Sequence, residues 1–223
     1  GGPGVCSLLY DGVWYTCINS LDINGIAAAD YVAKWTGAAW AAFGASGFSS
    51  TVNFIKVGPD GTFWAGGAAA TMIGTNVNYI GKSTDLGVTW ATAGGTSCDG
   101  FMYDLVWDLA GNIYACGNFT LTPDNHAAAC IMMTANNGTH WTALGAGLNV
   151  QGFCLAISPA NELYVGGAFT TANGVAVNYI ARWTGATFAT VGGTSCNNFV
   201  RDMCFDDAGN LYISGDFTVA PDG

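Results

Sequence analysis

His126 and His140, the sole glutamate Glu162, and the two arginines Arg182 and Arg201 are the side chains of this 223-residue chain most suited to acid–base or electrostatic chemistry. Their spacing organises no site. Glycoside cleavage needs two carboxylates flanking the scissile bond, yet Glu162 fills a turn slot that holds Asn112 and Asn210 in sister segments. A structural or catalytic zinc site takes three or four protein ligands, and the chain contains neither His-x-x-x-His nor Cys-x-x-Cys. Asp206 and Asp207 offer oxygens that suit calcium, but the matching turns carry Asp108, Asp60 and Asp11 singly, so turn capping is the expected role. The glycines recur at turns rather than opening a helix, which removes a phosphate-cradling loop. No catalytic residue, metal or cofactor is expected.

The eight cysteines carry a different chemistry. Counting outward from Asp11-Gly12, Tyr10 faces Val13, Leu8 faces Tyr15 and Cys6 faces Cys17, at a separation a disulfide can span. Counting about a loop centred near Pro123 sets Cys116 opposite Cys130. These are the two candidate disulfides, and an even cysteine count favours an oxidising compartment; buried free thiols are the alternative, since sheets hold them readily. Cys98 and Cys196 both end a Gly-Gly-Thr-Ser-Cys phrase and are expected in similar environments. Asn118 and Asn137 begin glycosylation sequons, at about the frequency chance allows.

What positions these residues is a repeat. The phrases Val13-Trp14-Tyr15, Phe63-Trp64-Ala65, Ile113-Tyr114-Ala115, Leu163-Tyr164-Val165 and Leu211-Tyr212-Ile213 follow one another at steps of 50, 50, 50 and 48 residues. Turns such as Asp108-Leu109-Ala110-Gly111 and Asp206-Asp207-Ala208-Gly209 accompany them, with Asp to cap amides and Gly to take positive φ. In the first repeat the turn is Asp11-Gly12, a strong two-residue hairpin signal. A second hairpin phrase alternates with the first, from Tyr31 to Trp40, Tyr79 to Trp90, Ile131 to Trp141 and Tyr179 to Phe188. Each unit therefore supplies four short antiparallel strands, the make-up of a β-propeller blade of the kelch length class. The fold expected is all-β, a single domain over residues 1–223 with repeats near 1–47, 48–97, 98–149 and 150–195 and a half repeat over 196–223. Trp14, Trp64, Tyr114, Tyr164 and Tyr212 are expected between blades, where each sheet shelters the next. Five hairpins of the first kind and four of the second make an odd number. A closed ring then needs further sequence, a fifth blade completed elsewhere, or strands from a partner chain.

Ser83-Thr84-Asp85-Leu86-Gly87-Val88-Thr89-Trp90 matches the Asp-box, Ser-x-Asp-x-Gly-x-Thr-Trp, at every defined position, and Thr134 to Trp141 is a decayed copy. The resemblance places Ser83, Asp85, Gly87, Thr89 and Trp90 on the turn between the third and fourth strands of a blade, with Asp85 accepting turn amides and Trp90 packing between blades. The motif occurs in sialidases, sorting receptors and many secreted propellers. A sialidase site takes three arginines and a Tyr/Glu pair, which Arg182, Arg201 and Glu162 cannot supply. The wider pattern, seen in Asn210 to Thr218, Glu162 to Thr170 and Asn178 to Gly185, resembles tandem propeller repeats of bacterial and viral surface proteins and of fungal cell-polarity surface proteins. It implies an extracellular, cell-surface or virion-surface propeller used for structure or attachment, and the first repeat departs most from it.

Composition narrows the partners. Charged residues are 9% of the chain, hydrophobic ones 51%, and the formal net charge is −10. Nucleic acid is disfavoured because its affinity rests on neutralised phosphates, and apolar runs break well short of the ~20 residues of a membrane helix. The sequence begins Gly-Gly-Pro-Gly, with no visible targeting signal. Other copies of the chain, other surface proteins or glycans are the expected partners. The function expected is a non-enzymatic scaffold or adhesin. A self-assembling fibre or coat subunit and the binding module of a larger secreted enzyme are the alternatives.

Overall fold

The computed structural model describes residues 6–17, 31–44, 47–193 and 196–221. The Gly-Gly-Pro-Gly start and positions 194 and 195 of the second Gly-Gly-Thr-Ser-Cys phrase lie outside them. The chain, expected as one repeat domain, divides into two compact units: Gly1–Met102 with Pro123–Asn125, and Tyr103–Thr122 with His126–Gly223.

The first unit holds two four-stranded antiparallel sheets. One runs β1 (Cys6–Tyr10), β2 (Val13–Cys17), β3 (Val32–Trp35) and β4 (Trp40–Ala42). The next is built from β5 (Val52–Val57), β6 (Phe63–Gly67), β9 (Ile80–Ser83) and β10 (Ala91–Thr92), with a two-stranded hairpin, β7 (Thr71–Met72) and β8 (Thr75–Asn76), inserted between β6 and β9. The second unit, which takes β11 from Tyr103 onward, repeats the plan. Strands β11 (Phe101–Trp107), β12 (Ile113–Asn118), β13 (Ile131–Thr134) and β14 (Thr142–Ala143) form one sheet. Strands β15 (Gly152–Ile157), β16 (Leu163–Gly167), β19 (Ile180–Trp183) and β20 (Phe188–Ala189) form another, with hairpin β17 (Thr171–Ala172) and β18 (Val175–Ala176) between β16 and β19. The pair β21 (Val200–Phe205) and β22 (Leu211–Gly215) ends the series.

The repeat pattern contains no such inserted hairpins, although Asn173-Gly174 between short polar and apolar residues is a two-residue hairpin signal. Asn173 (φ 49°) and Gly174 (φ 77°) both take positive φ, as do Ile73 and Gly74 in the second sheet. A second recurrence lies where β5, β15 and β21 bulge, between Val52 and Phe54, Gly152 and Cys154, and Val200 and Asp202. Opposite each bulge stands a glycine. A Cβ on Gly67 would lie 2.3 Å from the Thr51 carbonyl oxygen, one on Gly167 2.4 Å from that of Gln151, and one on Gly215 2.1 Å from that of Phe199.

Registers correct the repeat in one place. Trp64 lies opposite Lys82 and Tyr164 opposite Arg182, whereas in the first sheet Lys34 pairs with Tyr15 and not with Trp14. Tyr15 is thus the equivalent of Trp64, Tyr114, Tyr164 and Tyr212, one residue later than the phrase suggests. The cause is the turn: two residues, Asp11-Gly12, join β1 to β2, while Val57 and Phe63 are paired across five. Since strand residues alternate faces, one residue reverses the assignment. Tyr15 is 5% exposed and meets the rings of Phe43 at 5.1 Å and Phe63 at 5.4 Å, so it packs on the following sheet. Tyr164 does likewise, 5.0 Å from Phe205. Trp14, expected between blades, is instead 47% exposed, and so is Tyr212 at 57%. Trp14 occupies the position of the buried Phe63, Ile113 and Leu163, and Leu9 beside it is also exposed.

Candidate functional site

The Asp-box occupies the turn between β9 and β10. The Asp85 carboxylate organises it, accepting from the Ser83 hydroxyl at 2.7 Å, the Thr89 amide at 2.9 Å and the Thr89 hydroxyl at 2.6 Å. Ser83 Oγ in turn accepts the Gly87 amide at 2.9 Å. The Thr89 hydroxyl bond foremost, then its amide and Ser83, hold the Asp85 carboxyl down to about 2. Gly87 takes φ 81°, and a Cβ there would collide with the Phe43 ring. Trp90 is buried, donates its indole N–H to the Gly87 carbonyl at 3.2 Å and packs edge-on against Phe43 and Phe48. All five residues serve the turn and the core behind it.

The decayed copy between β13 and β14 works on the same plan. Thr134 donates to Asn136 Oδ1 at 2.7 Å, that oxygen accepts the His140 amide at 3.0 Å, and Trp141 is fully buried. An amide oxygen here does what a carboxylate does in Asp85. Asn137, the second sequon residue, is exposed with φ 54° in this turn, and Asn118 is exposed at the end of β12.

Asp60, Asp108 and Asp206 cap turns. Asp108 accepts the Ala110 and Asn112 amides, the Asn112 side chain and the Tyr114 hydroxyl, and its charge together with burial pushes Tyr114 up to about 12, burial being the larger cause. Asp206 repeats the arrangement with Asn210 and Tyr212. Asp207, offered with Asp206 as a calcium ligand, lies beside this cap on the exposed turn. The arginines are engaged singly: Arg182 with Glu162 at 2.7 Å, and Arg201 with Asp216 at 2.5 Å while its guanidinium lies over Phe153 and Phe199.

Cys6 and Cys17 are cross-strand partners joined by a disulfide, with Cα atoms 4.9 Å apart. Cys116 and Cys130 are not joined. Cys116 lies opposite Ile131, and it is the Gly117 amide that bonds the Cys130 carbonyl, so the loop shifts the counted register by one residue. Both are buried, as are Cys98 and Cys196; burial pushes Cys98 up to about 12 and Cys196 upward as well.

One pairing had no sequence signal. His126, in the loop joining β12 to β13, and His140, in the turn before β14, bring their rings to 4.8 Å between centroids at 90°. Both are exposed.

No family model matches the chain, and no curated protein does. Solved structures do. The extracellular domain of the one-component system BT4673 from Bacteroides thetaiotaomicron superposes with a TM-score of 0.66 at 10% identity, covering 96% of this chain and 26% of that one. The WD40 β-propeller domain of Doa1 gives 0.59 at 13%, covering 93% and 58%. The gluconolactonase XC5397 from Xanthomonas campestris gives 0.58 at 14%, covering 95% and 69%. This chain spans only about a quarter of the first of these. At such identities the likeness shows the fold alone: antiparallel four-stranded sheets of the propeller type. The neighbours include the extracellular domain of a one-component system and an enzyme.

Proposed function

We propose that this chain is a non-enzymatic propeller of an extracellular, cell or particle surface, acting as a scaffold or adhesin whose loops meet glycans or proteins. The observation that carries this reading is the engagement of the carboxylates and arginines described above in turns and single ion pairs. Asp85, Asp108 and Asp206 cap turns, and Arg182 and Arg201 each face one carboxylate. The disulfide supports an oxidising compartment, and the extracellular domain among the structural neighbours accords with it. The test pairs a glycan and surface-protein binding array with a screen for lactonase, lyase and glycosidase turnover. Binding without turnover is the expected result; turnover abolished by a single substitution would overturn the reading.

A second reading, self-assembly between copies, is favoured by Leu9, Trp14 and Tyr212. They are exposed at positions whose counterparts Val57, Phe63 and Tyr164 pack against a neighbouring sheet. Light scattering checks it: mass should rise with concentration, and Trp14→Ala should suppress the rise.

A further inference from the structure

We infer that His126 and His140 together form a binding site for one divalent transition-metal ion of the zinc, nickel or copper type. They stand fourteen positions apart in sequence, yet their ring nitrogens lie within 4.8 Å of one another. Two imidazoles on a tetrahedral ion with Zn–N bonds of about 2.0–2.1 Å stand about 3.3 Å apart. A bound ion would draw the two exposed side chains together across that difference.

Each backbone is already held in place. The Thr122 amide donates to the His126 carbonyl at 2.8 Å and the His126 amide to the Thr122 hydroxyl at 2.9 Å, with Leu121 and Ala127 bridged across the loop. The His140 amide is fixed on Asn136, and Trp141 after it is anchored in the core. Ala127 and Ala128 line one depression with Ala143 of β14, so the loop runs beside the outer strand whose turn carries His140. Two ligands held on two elements lose less freedom on binding than two on a floppy loop.

The chemistry selects the ion class. Neutral imidazole suits zinc, copper and nickel, whereas calcium and magnesium want oxygen cages. The net charge of −10 raises the local concentration of cations. Bound metal would tie the β12–β13 loop to the decayed Asp-box turn, at the place where His140 replaces the Thr89 of the intact box. Binding the folded state stabilises it by mass action.

The experiment is calorimetric titration of zinc chloride into the full chain, untagged, disulfide intact and carrying Cys204→Ser so that the exposed thiol does not compete. One equivalent should bind. His126→Ala and His140→Thr should each weaken binding by at least the roughly 10–100-fold that loss of a mere supporting partner causes at metal sites. His140→Thr restores the residue of the intact Asp-box and so keeps the turn. Copper(II) substitution gives an independent readout: hyperfine coupling to two imidazole nitrogens in the parent and one in either variant. No binding at about millimolar zinc, or affinity and nitrogen count unchanged by His140→Thr, would overturn the site.

Discussion

Replacing Tyr15 and Trp14 separately by alanine tests the register that stacks the first sheet on the second. Neighbours in sequence, the two point to opposite faces. Tyr15 is 5% exposed and touches two rings, while Trp14 is 47% exposed. Truncating a buried aromatic costs about 3–5 kcal/mol, from lost transfer energy and the cavity left behind. A half-exposed indole that leaves no enclosed cavity should cost about 1 kcal/mol. With a urea dependence of about 2 kcal/mol per molar, Tyr15→Ala moves the unfolding midpoint down by about 1.5–2.5 M and Trp14→Ala by about 0.5 M. Far-UV circular dichroism under oxidising conditions gives both midpoints without relying on the deleted fluorophore. Equal shifts, or a larger one for Trp14, would refute the one-residue offset and restore the phrase-based alignment.

Acid should act through Asp85. Its folded pKa of about 2 lies below the ordinary 3.8, so its contribution is present above pH 3.8 and is lost as pH falls through 2. Asp85→Asn, which copies the Asn136 turn, should fold at pH 7 and lose less stability than the parent between pH 4 and 2, as urea midpoints across that range would show. Native-state alkylation with iodoacetamide should label the exposed Cys204 and leave the buried Cys98, Cys116, Cys130, Cys154 and Cys196 unmodified until urea is added, read by mass spectrometry. Gly167→Ala should lower stability by about 1–3 kcal/mol or more, because its Cβ would stand 2.4 Å from the Gln151 oxygen; Gly185→Ala, whose Cβ meets open space but whose φ is 90°, should cost about 1–2 kcal/mol from backbone strain alone in the same thermal melt.

The repeat was legible because turn chemistry recurs with it. Asp11-Gly12 marked a hairpin with both residues at positive φ, 49° and 74°, and the Asp-box marked the turn between the third and fourth strands. Phase was harder to read than period. A two-residue turn in place of a five-residue one shifted Tyr15 by one position, and the β12–β13 loop shifted Cys116 from Cys130 to Ile131. Loop lengths set registers, and local patterns do not count them. The His126–His140 contact was invisible for a related reason: it depends on the path of a loop whose sequence lacks any metal-ligand spacing. Arg182 with Glu162 was hidden too, although Arg182 lies on β19 and Glu162 directly precedes the adjacent strand β16.

The stacking of successive sheets is tested most directly by ring-to-ring nuclear Overhauser effects on the intact chain. Cross-peaks between Tyr15 and Phe63 and between Tyr164 and Phe205 are expected, since their centroids lie 5.4 and 5.0 Å apart. Their absence, or contacts of Trp14 with Phe63 in place of Tyr15, would contradict the account.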